Sequence, residues 1–140
     1  MKYGSCLAVA ISLFCSPVVA DAQQYLCVVE RAVGFAYKSN SWENAHFKTE
    51  NKYIISKGDG KGYKVTKVGD KNELVSCEKD FNEFGYLFCS GLPEFKFNKN
   101  NGRFLLAYLL GYYNVLPQQN KITDENSDTP YLEIGRCSPF

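Results

Sequence analysis

The sequence predicts an all-β protein: a small antiparallel barrel or sandwich of about eight strands, stapled by disulfides. Three observations carry that expectation. Beyond residue 22, short runs of β-formers alternate with Gly, Asn, Asp and Pro turn signals. Aromatics are abundant, with ten Tyr, ten Phe and one Trp in 140 residues, and such side chains favour half-buried pleated surfaces. Of six cysteines, Cys6 and Cys15 lie in a leading segment that reads as an export signal. Cys27, Cys77, Cys89 and Cys137 remain, an even set suited to two disulfides.

Residues 1–22 read as the signal peptide. Lys2 supplies a positive start, residues 7–14 an apolar core too short to span a bilayer, and Pro17 ends it. Ala20-Asp21-Ala22 fits the cleavage rule before Gln23, with cleavage after Ala20 as the alternative. A lipoprotein signal at Cys15 would want a small residue before it, where bulky Phe14 stands. No other segment has the length and apolarity of a spanning helix. Residues 23–140 read as a single β domain without linker or internal repeat.

Residues 25–37, with Val28, Val29, Val33 and Phe35, predict a long first strand bent at Gly34. Ser39-Asn40-Ser41 marks a turn, and residues 42–47 a weak strand. Strands at 53–56 and 63–68 flank Gly58-Asp59-Gly60-Lys61-Gly62, whose Asp-Gly step favours the positive φ angles of a tight hairpin. Strands at 74–77 and 86–89 flank a polar turn ending at Gly85. Phe95-Lys96-Phe97 alternates, and Asn101-Gly102 is a strong hairpin signal. Residues 103–113 are ambiguous: Leu and Ala favour helix, but the run follows a hairpin turn directly and is read as strand. A polar loop spans 117–130, and 131–137 is the final strand.

If the first and last strands meet, Cys27 pairs with Cys137, and Cys77 with Cys89 staples the hairpin around Gly85. Loss of the terminal bridge would then be the more damaging, because it frees the strands that close the barrel. Four cysteines leave two other pairings open.

The net charge of +1 gives no general reason to bind nucleic acid or an anionic membrane. Lysines outnumber acids between residues 48 and 71, and the balance reverses between 72 and 94. Adjacent strands from the two stretches would attract. His46 is the sole histidine. One histidine cannot build a zinc site without cysteines or carboxylates, and the cysteines are expected as disulfides; it reads as an ordinary surface or strand residue rather than a catalytic base. There is no Gly-x-Ser-x-Gly elbow. Gly58, Gly60 and Gly62 lead into a strand rather than a helix, so they read as a turn and not a phosphate cradle. Asp124, Asn126 and Asp128 are spaced like the first ligands of a calcium loop, but Thr129 and Gly135 stand where that loop needs Gly and Glu. A solvated polar loop is the default there. No cofactor motif, metal set or catalytic constellation emerges.

Phe95-Lys96-Phe97-Asn98, Arg103-Phe104, Gly111-Tyr112, Asp128-Thr129-Pro130 and Glu133-Ile134-Gly135-Arg136-Cys137 resemble a group of small exported bacterial proteins of unknown function. Cys27, Gly34-Phe35, Trp42, Cys77 and Cys89 extend the similarity over most of the mature chain. The resemblance implies a bacterial, extracytoplasmic location and no particular activity. In architecture alone the chain is also similar to periplasmic inhibitors of C-type lysozyme, small disulfide-bonded β-barrels. Here Ser90-Gly91 is followed by Leu92-Pro93, not by the Ser-Gly-x-x-Tyr type of loop those inhibitors use.

The expected function is that of a non-enzymatic binding or interaction protein of the bacterial periplasm or exterior, inhibitor-like in architecture, with an envelope or extracellular protein as partner. The expected contacts are the 57–62 turn, with Asp59 and Lys61, and the 117–130 loop, with Asp124, Asn126 and Asp128. The alternatives are a carrier of a small apolar ligand inside the barrel and, behind it, a cell-envelope hydrolase. Oligomeric state is not legible.

Overall fold

A computed structural model describes residues 24–60, 62–113 and 129–140. The signal segment, Lys61, and the loop residues Asp124, Asn126 and Asp128 lie outside the described residues. Among the described residues, the expected alternation of apolar and polar side chains produces nine strands: β1 (Gln24–Lys38), β2 (Ser41–His46), β3 (Lys52–Lys57), β4 (Tyr63–Lys67), β5 (Glu73–Cys77), β6 (Tyr86–Cys89), β7 (Glu94–Asn98), β8 (Arg103–Tyr108) and β9 (Tyr131–Pro139). One helical turn, α1 (Leu110–Tyr113), follows β8. Eight strands form an antiparallel sheet in the order β5-β4-β3-β1-β9-β8-β7-β6, which curls into a nearly closed barrel. β2 pairs with β1 off this path.

The first strand bends at a different place from the one expected. Gly34 pairs regularly with Ala45 on one side and Tyr131 on the other. The irregularity is at Glu30, where the β1–β9 register shifts between Val29 and Arg31. One extra residue there reverses the alternation, as a β-bulge does. Residues Tyr25, Cys27 and Val29 are buried before it, and even-numbered Ala32 and Gly34 turn inward after it.

Segment 103–113 divides. The ladder to β9 ends at the Tyr108–Tyr131 pair. Pro130, the next residue, has no N–H to continue it. With the sheet gone, the helix preference of Leu109-Leu110 prevails for one turn. The hairpins also differ in mechanism. Ser39 (φ 51°) and Asn40 (φ 63°) make the two-residue turn of the β1–β2 hairpin. β3 and β4 pair as expected, but their loop is closed by Gly58 N–H donating to Gly62 O at 3.0 Å rather than by a tight Asp-Gly turn. Gly102 (φ 70°) ends a longer β7–β8 loop, with its N–H donating to Asn98 O at 2.9 Å.

The disulfides pair Cys27 with Cys137 and Cys77 with Cys89. Cys27 faces Cys137 within the β1–β9 ladder, so the first and last strands do meet. The second bridge does not staple a hairpin. β5 and β6 are the two ends of the sheet, touching but joined by no ladder. Cys77–Cys89 therefore closes the barrel at its seam, and the terminal bridge does not. A separation of 12 residues suits a hairpin or a crossing between edges, and only topology decides.

Among the described residues, the charge contrast between residues 48–71 and 72–94 yields one bridge, Lys57 to Asp80. Along the β4–β5 ladder, Lys64 faces Ser76 and Thr66 faces Glu73, so no opposite charges meet directly. Both partners of the bridge are about half exposed, so its stabilising effect is small. Two disulfides fit an extracytoplasmic, oxidising compartment. Among the described residues, no helix is long and apolar enough to cross a membrane.

Candidate functional site

The barrel interior is filled by its own side chains. Tyr53, Ile55, Val65, Leu87, Phe95 and Leu106 are all at most 2 % exposed. Their rings interlock: Phe95 stacks on Phe104 at 5.3 Å, and Tyr25 meets Phe97 edge-on at 4.9 Å. An apolar ligand would have to displace this packing. One charged side chain, Glu133, sits among these residues at 2 % exposure. Asn51 Nδ2 donates to its Oε1 and the Tyr53 hydroxyl to its Oε2, each at 2.6 Å. Burial first, then the bond to Glu133, holds the Tyr53 phenol well above its ordinary value of 10.0. Burial, followed by the Glu133 charge, also raises Tyr131.

This cluster is built for structure rather than turnover. Each Glu133 oxygen has a donor, and the Tyr53 ring packs against Phe95 and Phe104, so a substrate has no approach. Its parity with Gly135 and Cys137 along β9 is the signal that turns Glu133 inward, but that parity has meaning only once the register is known.

The exposed face of β6–β9 is different. Two outward rows cross it. In one, Phe88 faces Lys96, Lys96 faces Leu105, and Leu105 faces Ile134. In the next, Tyr86 faces Asn98, Asn98 faces Arg103, and Arg103 faces Arg136. A row of Phe88, Leu105 and Ile134 interrupted by Lys96 thus lies beside a row of polar and cationic groups. Together they line an open groove of about 620 Å³. The Tyr86 and Phe88 rings stack along one wall, with centroids 5.9 Å apart and planes within 15°. The Arg136–Glu30 ion pair, at 3.3 Å, borders the other. Phe88 is 53 % exposed and Ile134 43 %. The outward positions Lys64, Thr66 and Ser76 of β4 and β5 are polar, as an outer barrel face normally is.

Of the loop residues expected to make contacts, Asp59 is the one among the described residues, and it does not line the groove. Asp59 is exposed on the 58–62 loop, and His46 is exposed at the end of β2. Among the described residues, no three His, Cys, Asp or Glu side chains converge as metal ligands. A signal for the groove was present in Tyr86-Leu87-Phe88-Cys89, four apolar residues in a row on a strand with one buried face. Half of them had to be exposed. No family model matches the chain, and neither a curated protein nor a solved structure matches it.

Proposed function

We propose that this is an exported, non-enzymatic binding protein of the bacterial periplasm or exterior, and that it holds its partner on the outer face of β6–β9. One observation carries the reading. A stacked, half-exposed aromatic pair lies with Leu105 and Ile134 in a groove whose burial the fold does not require. Exposed apolar concavities with a few convergent polar groups are the usual form of binding sites. The leading segment and the two disulfides support export.

The test is retention of envelope-fraction components by the immobilised, oxidised protein. Phe88→Ala with Arg103→Gln should abolish retention, and Asp59→Ala with Lys61→Ala should leave it intact. Loss with the loop variant and retention by the groove variant would place the contact surface on the loop and refute the proposal.

A further inference from the structure

We infer that the groove takes a single-chain amphiphile with an oxyanion head, the head on Arg103 and Arg136 and the chain along Leu105 and Ile134. This rests on the groove being the binding face. Arg103 and Arg136 stand directly opposite each other across the β8–β9 ladder. Like charges in that relation destabilise a sheet. Glu30 compensates Arg136, but among the described residues the Arg103 guanidinium has no ion-pair partner. An anion seated between the two removes the repulsion.

The remaining polar groups match the same ligand. The Asn98 side-chain oxygen accepts the Asn100 N–H, and that of Asn101 accepts the Arg103 N–H, each at 2.9 Å. Their oxygens are occupied, so each amide offers its NH₂. With Lys96 paired to Glu94 and Arg136 to Glu30, Arg103 leaves the groove a set of donors with a positive excess. Its complement is acceptor-rich and negative: a carboxylate, phosphate or sulfate.

The apolar row fixes the rest of the molecule. Leu105 and Ile134 lie one step along the strands from the arginine pair, about 6.6 Å away by strand rise. Ala107 opposite Leu132 is the next outward pair, about 13 Å from the arginines. A cation pair followed by two aliphatic pairs in line has the outline of an acyl or alkyl chain below a charged head. Tyr86 and Phe88 wall its flank. The volume of about 620 Å³ suits a small molecule. A stable protein interface needs roughly 800 Å² on each partner.

The experiment is titration of the oxidised mature protein with decyl phosphate below its micelle concentration, followed by amide NMR. Saturable shifts centred on Phe88, Arg103, Leu105, Ile134 and Arg136 are expected. Arg103→Gln should weaken binding about tenfold or more, and Ile134→Ser should weaken it while leaving the spectrum folded. Inorganic phosphate and neutral decyl maltoside should each bind far more weakly. Equal binding of phosphate alone, equal binding of the maltoside, response only to anionic vesicles, or no response to decyl phosphate would each overturn the inference. If decyl phosphate fails while the groove variant still abolishes envelope retention, the ligand class is wrong and the binding face stands. If both fail, the face itself is wrong.

Discussion

Replacing Cys77 and Cys89 together by alanine should open the barrel at one place without unfolding it. The bridge spans 12 residues and the Cys27–Cys137 bridge 110. Constraint of the unfolded chain then gives about 3 kcal/mol for the first and about 5 kcal/mol for the second. Against a domain stability of about 5–15 kcal/mol, the shorter loss leaves a folded protein and the longer approaches the limit. The local consequences run the other way. Around Cys27–Cys137 the β1–β9 ladder persists on both sides of the bridge. Between β5 and β6 no ladder exists, so the Cys77–Cys89 bond is the covalent tie across the seam. Alanine suits all four positions because every sulfur is buried. Urea melts and native-state hydrogen exchange measure the two effects. The seam variant should lose about 3 kcal/mol and lose protection first in 73–77 and 86–89. The terminal variant should lose about 5 kcal/mol with protection falling throughout. Uniform loss in the seam variant, or early opening confined to 24–29 and 131–139 in the terminal one, would refute this account of closure.

Other consequences follow from the interior. Tyr53→Phe leaves one oxygen of buried Glu133 without its donor and should cost about 1–3 kcal/mol in urea melts, against little for Tyr86→Phe on the surface. The raised Tyr53 pKa makes the folded state hold a proton that the unfolded chain releases near 10.0. Its contribution is therefore complete below that pH and is lost as pH climbs above it, so the alkaline fall in stability should shrink in Tyr53→Phe. Gly135→Ala places a Cβ 2.0 Å from Val28 O and 2.7 Å from a Phe104 ring carbon, and should cost about 1–3 kcal/mol or more in a thermal melt. Gly60→Ala, with nothing within 4 Å, should be neutral.

The strands were legible because alternation and turn residues are local. Phe95-Lys96-Phe97 and Tyr63-Lys64-Val65 specify strand and buried face within three residues. Both disulfide pairs were also legible, the terminal one because strand closure joins β1 to β9. The role of the other was not, because the neighbours of β5 and β6 are set by the whole sheet order. Likewise, Glu30 looks like any polar strand residue until it faces β9 and becomes the extra one. The groove draws on residues from 30 to 136, and its arginine pair exists only in the β8–β9 register. Loops attract attention in a sequence because they are polar and irregular. A binding face on a sheet leaves only a surplus of apolar residues, as in Tyr86-Leu87-Phe88-Cys89.

Photocrosslinking tests the assignment of the binding face most directly. A benzophenone amino acid is placed at Phe88 in the groove, and separately at Asp59 on the 58–62 loop, in protein exposed to the envelope fraction. Phe88 is outward and 53 % exposed, and Asp59 is exposed, so neither change disturbs the core. Adducts from position 88 that Arg103→Gln suppresses, with none from position 59, are the predicted result. Adducts from position 59 and none from 88 would contradict it.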